Sequence, residues 1–573
     1  MTEGAAQATG SAAPWLERAA RRPVLALLLL AMLAWLPGLS TLPPLDRDES
    51  RFAEASRQMA ETGNYIDIRF ASGTRYNKPI GIYWMQSAAA TLAGPALRSR
   101  ISVYRVPSLL GGVLSLILTY ECARVFASRK TALMAAILLG STLLLSAESD
   151  IATTDAALLS AIVAAQAMTM RVYLAARDAR YAKPGLAAIL AGWAALGIGV
   201  LLKGPVILAV LGTTVLALSL WDRDWRWLRG TRPLPGLVLA AAIVAPWAIA
   251  IGFASHGAFY QQSLGHDFAA KILGGEESHG APPGYYLVLA SFTFWPATVF
   301  LIQAVGSAIV RRGYPVNRYL LAWSGAAWLM FELVPTKLPH YILPVYPALA
   351  ILCALWAAGS NRELETQRTS VLHYAAGAQF GLAALALAAA SLFLPLRFGG
   401  AINWPQIAGT VLALVASCAA IVFLIRQRVD SAAASAIASA VAFYLLLVFA
   451  VAPQLQDMWM SPRAAKLVAD NRRPDDPPPV VAGYVEPSLV FALGSDTRIE
   501  PADGVAGAAV AHGGLALVDG RAEPIFLHGL SSFHAAARQL GQISGFDYSN
   551  GHRERVILYR VTSSPRTQAT PEK

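Results

Sequence analysis

A chain of 573 residues that is 55% hydrophobic and only 14% charged, with a mean hydropathy of +0.47, is too apolar for a soluble protein. Its net charge of +11 sits in basic clusters between apolar runs, a membrane-topology signal that excludes nucleic acid as the partner the charge serves. The three cysteines, Cys122, Cys353 and Cys418, all fall inside apolar runs and show neither a disulfide framework nor a metal-type spacing.

Nearly uncharged runs of roughly 18 residues or more are the mark of spanning helices. Thirteen are predicted, near residues 23–42, 103–126, 131–147, 154–176, 185–201, 204–220, 234–254, 285–311, 317–335, 338–358, 371–396, 403–426 and 432–452. The first follows Arg18, Arg21 and Arg22 and ends in Gly38-Leu39-Ser40, as a signal peptide does, but its apolar core is long enough to span, so it is read as an uncleaved helix. With the N-terminus in the cytoplasm, Arg129 and Lys130, Arg171 to Lys183, Arg223 to Arg232, Arg311 to Arg318, Arg362 and Arg368, then Arg426 and Arg428 all fall on cytoplasmic turns. The first loop and everything after the last span then lie outside. The expected organisation is a membrane domain over 1–452, with its first outside loop at 43–102, and a second domain over 453–573.

Residues 46–84 pack Asp46, Asp48, Glu49, Arg51, Glu54, Arg57, Asp67, Arg69, Arg75 and Lys78 into a chain whose spans are nearly charge-free; charge at that density belongs in water or in a site. Phe52, Ala55, Met59 and Ala60 recur at helical spacing, with Asp48 and Glu49 at the electropositive N-terminus. The second half reads as a loop ending in Lys78, Pro79 and a Tyr83-Trp84 pair suited to a membrane interface. A second outside loop, 255–284, holds His256, His266, Asp267, Lys271, Glu276, Glu277 and His279. After 453, a Pro-rich linker at 474–479 precedes strand patterns at 480–484, 515–518 and 556–559 and helical patterns at 487–493 and 532–540. This is a small α/β domain with no nucleophile, metal or phosphate motif, and its reading is packing or docking.

Helix capping alone would justify Asp48 and Glu49, and membrane-boundary anchoring alone would justify a single Lys or Tyr. On the same outside face, however, stand Asp150 and Asp155, Lys203, His266 and Lys271, and Lys337, His340 and Tyr341. Lys203 and Lys337 sit in sharp turns, LLKGPV and VPTKLPHYILPVYP, where positive charge is otherwise sparse. A cationic pocket opposite carboxylates at the bilayer boundary suits a phosphate-bearing lipid.

At these residues the chain resembles the bacterial lipid A aminoarabinose transferases and the protein O-mannosyltransferase-like GT-C glycosyltransferases. DRDESRFAE is similar to their first acidic motif, RYNKPIGIYW to their lysine-proline-aromatic motif, ATTDAALL to their second acidic motif and KLPHYILPVYPALA to their late tyrosine motif. The resemblance implies a GT-C-type inner-membrane protein with a small periplasmic α/β domain. It implies inverting transfer of a sugar from a polyprenyl-phosphate donor to lipid A or another envelope acceptor on the periplasmic face. It implies that Asp48, with Glu49 beside it, is the active-site carboxylate and that Asp155 supports it. Lys78, Lys271 and Tyr341, together with Lys203 and Lys337, would hold the donor phosphate. The family's metal pair is a His and a Glu; His266 matches the first, but Asn77 stands where the Glu would precede the motif lysine, which weakens a bound divalent metal. A transporter or flippase with an exported domain is the other reading, though repeat symmetry and interrupted mid-membrane helices are not evident in the sequence.

Overall fold

The computed structural model describes residues 14–45, 47–268, 281–359 and 368–562, and each apolar run within them is largely helical. Nine of the described helices are long and apolar enough to cross a membrane: Pro23–Thr41, Ile101–Ala123, Asp155–Arg177, Leu186–Lys203, Pro233–Ala254, Pro339–Ala357, Val371–Arg397, Trp404–Ile425 and Val429–Gln454. A tenth span forms if the pair Arg129–Gly140 and Leu143–Ser149, bent by 68°, counts as one. The other three predicted spans differ for identifiable reasons. Val206–Asp222 has 17 residues, about 25 Å of helix against roughly 30 Å of hydrocarbon. Pro315–Leu333 carries Asn317, Arg318 and Glu332. The run at 285–311 is split into Tyr285–Thr293 and Thr298–Val310 around Pro296, which has no N–H to donate. The two breaks meet, because the Leu143 N–H donates to the Trp295 carbonyl at 3.0 Å.

Asp155–Arg177 and Pro339–Ala357 are each 83% buried against 17% for Pro233–Ala254, so these two form the middle of the bundle. Lipid offers no hydrophobic drive for helix association, and interhelical polar contacts contribute instead. Between the central helix and its neighbours, Gln166 donates to Thr214 at 2.9 Å and accepts from the Tyr319 hydroxyl at 2.5 Å. At one end of the bundle Arg177 and Arg318 converge on Asp222. At the opposite end, where Asp155 begins its helix, lie the polar first loop and the C-terminal domain. The cysteines are unpaired, Cys122 and Cys353 buried and Cys418 exposed.

The C-terminal part is a five-stranded sheet in the order Arg498–Ile499, Val480–Ala482, Gly514–Asp519, His552–Thr562, Ala536–Asp547. The first three strands run parallel and the last two pair antiparallel. The helix expected at 532–540 is absent: Glu523–Ser532 ends there and Ala536–Asp547 is a strand. Pairing with His552–Thr562 across an Asn550-Gly551 turn overrides the helical spacing of its apolar residues.

Candidate functional site

The first loop begins with the helix Arg47–Thr62, which buries Phe52, Ala55 and Met59 on one face. A short hairpin, Arg69–Phe70 with Gly73–Thr74, turns the chain back toward that helix. The following segment lands on the turn after Leu186–Lys203. A Cβ on Gly81 would sit 2.8 Å from the Leu201 carbonyl oxygen, and Gly204 holds the turn at φ +62°, where a Cβ would just reach van der Waals distance of the Pro79 ring, 4.0 Å. Lys78 and Lys203, far apart in sequence, are thereby delivered to one place.

Around them the structure gathers much of the predicted set. The Lys203 ammonium donates to Asp155 Oδ1 at 2.6 Å, and Thr154 donates to Oδ2 at 3.1 Å. The same ammonium lies 5.4 Å from the centre of the Tyr341 ring, which packs edge-on against His340. His340 Nδ1 is 3.9 Å from Glu148, whose other oxygen accepts from Thr153 at 3.0 Å. His340 also feels the charges of Asp48 and Lys78, so the first-loop residues and the Asp155–Lys203 pair share one electrostatic neighbourhood.

Asp48 Oδ1 accepts from Arg75 at 3.2 Å and from Arg51 at 3.4 Å. Arg75 is itself locked, donating to the Tyr83 hydroxyl at 3.2 Å and lying 5.1 Å from the centre of the Phe52 ring. Burial works against ionisation of Asp48, but Arg75, Arg51 and Lys78 outweigh it and hold its carboxyl at about 2. With its side chain 53% exposed, Asp48 is an accessible carboxylate, ionised at neutral pH. Tyr83 is fully buried beneath Arg75 and takes no interfacial place, whereas Trp84 is 38% exposed.

Glu49 has gone elsewhere. Its side chain is wholly buried and its oxygens receive Arg105 Nε at 2.7 Å, Arg105 Nη2 at 3.1 Å, the Leu45 N–H at 2.7 Å and the Ala152 N–H at 2.9 Å. Arg105 uses its remaining donors on the carbonyls of Gly38, Leu39, Leu42 and Pro43, the end of the first span. The acidic pair is thus divided: Asp48 faces the accessible cluster, and Glu49 ties the loop to the bundle. Lys337 is buried and donates to the Val334 carbonyl at 2.8 Å. Lys271 and the His266 side chain lie outside the described residues. For a metal, position 77 supplies an amide where a carboxylate would be needed, and among the described residues no group of three or more His, Cys, Asp or Glu is placed to hold one. Among the described residues the donors present therefore do not fit a metal.

Sequence reasoning passed over Arg75 as a site residue and Arg105 altogether. Arg105 carried a signal, since an arginine in an apolar span is costly and implies a partner.

Fold and site together define a polytopic α-helical membrane protein with a charged cluster at one end of its bundle and a small C-terminal α/β domain. Residues 24–257 match the family described as dolichyl-phosphate-mannose-protein mannosyltransferase. Undecaprenyl phosphate-alpha-4-amino-4-deoxy-L-arabinose arabinosyl transferase of Erwinia tasmaniensis is 32% identical over 309 residues, 54% of each chain. The protein of the same description from Pseudomonas paraeruginosa is 29% identical over 389 residues, 66% of each chain. The chain thus spans between about half and two-thirds of the length of these curated relatives. The crystal structure of ArnT from Cupriavidus metallidurans bound to undecaprenyl phosphate superposes with a TM-score of 0.73 at 19% identity, covering 93% of this chain and 97% of that one. Its apo state gives 0.70 at 19% identity, covering 94% and 98%. Over residues 24–257 the chain is similar to that mannosyltransferase family, and its fold is that of these ArnT structures.

Proposed function

We propose that the protein is an inverting glycosyltransferase of the bacterial inner membrane, transferring a sugar, of the aminoarabinose type, from a polyprenyl-phosphate donor to a lipid A phosphate. In this reading the N-terminus is cytoplasmic and the site periplasmic, in accord with the basic turns. The observation that carries it is the Asp155–Lys203 pair under Tyr341, beside Lys78, Arg75 and Asp48, at one end of the bundle.

Lys78, Lys203 and Tyr341, with Lys271, hold the donor phosphate; Asp155 fixes the Lys203 ammonium rather than touching the donor. An acceptor oxygen attacks the anomeric carbon from the face opposite the phosphate. As that C–O bond forms, the bond from the anomeric carbon to the phosphate oxygen breaks, and polyprenyl phosphate leaves with the electron pair. The leaving group needs its negative charge stabilised rather than a proton, which is what fixed lysines supply. Asp48, held at about 2, is a weak base, and this supports an acceptor that arrives already ionised, a phosphate, over a hydroxyl that must be deprotonated. Asp48 then orients rather than deprotonates. Glu49 is a positioning residue and does not meet substrate.

The test is transfer by the purified full-length protein from a polyprenyl-phosphate-linked aminoarabinose to lipid A, with Lys203→Ala beside wild type. Transfer by wild type and its loss in the variant are expected; transfer absent from wild type, or undiminished in the variant, overturns the proposal.

A further inference from the structure

Among the described residues, two contacts of the C-terminal domain with the membrane part bear on the site. Near one, the tip of its long hairpin packs Phe546 5.4 Å from Phe398 in the turn between the spans Val371–Arg397 and Trp404–Ile425. There the Phe546 N–H donates to the Asp457 carbonyl at 2.7 Å, and the Asp457 N–H donates to the Phe398 carbonyl at 3.0 Å. The other contact is with the helix that carries Asp48. Phe491, on the short helix Pro487–Leu493, is 3% exposed and inserts among Ala53, Ala90, Val103, Tyr104 and Ala152. Its ring meets Tyr104 edge-on at 5.6 Å.

Arg57 closes this contact from the loop side. It is 4% exposed and lies 5.0 Å from the centre of the Phe491 ring. Nη1 donates to the Phe491 carbonyl at 2.9 Å, Nε donates to Ser495 Oγ at 3.1 Å, and Nη2 pairs with Glu54. Ser495 in turn donates to Glu61 at 2.9 Å. The aromatic wedge therefore bears on two walls at once. One is the helix Arg47–Thr62. The other is the turn at 150–154, whose Ala152 N–H holds Glu49 and whose next residue is Asp155.

We propose that the C-terminal domain is a positioning part of the site, its Phe491 wedge and the Arg57 clasp holding the Asp48 helix and the Asp155 turn in register. The inference rests on the reading that Asp48 and Asp155 belong to the site. Neither Phe491 nor Arg57 meets substrate, and their effect falls on the alignment of groups that do. Misplacement on the order of 1 Å costs about 10²-fold in rate where reacting groups must be aligned.

The test uses the full-length protein with Phe491→Ala and, because that variant leaves a cavity, Arg57→Lys, which keeps the charge facing Glu54 and removes the fork. Hydrogen–deuterium exchange over 53–62 and 150–154 reads the brace without any assay of transfer. Faster exchange at both segments is expected in each variant, with kcat falling about 10- to 100-fold and KM for the polyprenyl-phosphate donor little changed. Phe491→Leu, which refills most of the space, should recover much of both. Unchanged exchange, or wild-type kcat with faster exchange, overturns the positioning role. If wild type itself transfers nothing while exchange responds as expected, the brace stands and the functional reading of the site falls.

Discussion

Glu49→Gln is expected to destabilise the protein, although its neighbour Asp48 tolerates the same kind of change. Glu49 and Arg105 are both completely buried, joined by two N–H to carboxylate bonds at 2.7 and 3.1 Å. Gln keeps the volume, but its amide N–H₂ then confronts either Arg105 Nε and the Ala152 N–H or Arg105 Nη2 and the Leu45 N–H, and the guanidinium charge loses its counter-ion. Stranding one member of a buried pair costs about 3–5 kcal/mol. For a chain of 573 residues, at about 0.8 °C per kcal/mol, that predicts a fall in apparent Tm of roughly 2–4 °C, read by thermal unfolding in detergent. Glu49→Leu combined with Arg105→Leu should be less damaged than either single change, because no charge is left alone, though the carbonyls at the end of the first span lose their donor. A Glu49→Gln protein with wild-type Tm but no transfer would refute the division of the acidic pair and return Glu49 to the chemistry.

Asp48→Asn keeps fold and insertion, since Asn keeps the shape and an oxygen for Arg75 and Arg51; transfer, measured with purified protein, should fall by about 10²-fold or less, because a carboxylate that orients contributes less than a general base. The wild-type rate should show no acidic limb from Asp48 between pH 5 and 8, because its carboxyl is held at about 2; a limb there that vanishes in Asp48→Asn would contradict the ionised, orienting role. Glu54 is pushed up to about 7 by burial against the partial opposition of Arg57. Its contribution to stability is then fully present below about 4.5 and lost as pH rises through about 7, so Tm measured from pH 4.5 to 8 should fall less in Glu54→Gln than in wild type. Cysteines introduced at the exposed Ser72 and Ser531 should be labelled in intact cells while one at Ser128 stays protected, and the reverse would invert the topology. Ser495 is unsuitable for that purpose because it is tied to Arg57 and Glu61.

Local pattern made much of this protein legible. Charge-free runs announced helices, and the spacing of Phe52, Ala55 and Met59 announced the amphipathic helix that carries Asp48. What sequence hid was partnership across distance. Nothing near Glu49 shows that its counter-ion lies 56 residues away in the second span, and nothing near Arg57 shows that it grips a helix more than 430 residues later. The run at 285–311 looked continuous because its residues are apolar, yet Pro296 splits it. At 532–540 the apolar spacing was helical, and only the facing strand His552–Thr562 decides otherwise. Lys203 was singled out from its turn alone; that it should meet Asp155 followed from the packing of two spans, which no local pattern encodes.

Mass spectrometry of lipid A from cells with the wild-type protein, with Asp48→Asn and with no protein tests the central claim most directly. Wild type should add the mass of one aminopentose to lipid A, Asp48→Asn should add far less at equal expression, and cells without the protein none. Identical spectra from all three would contradict lipid A as the acceptor and with it the proposed function.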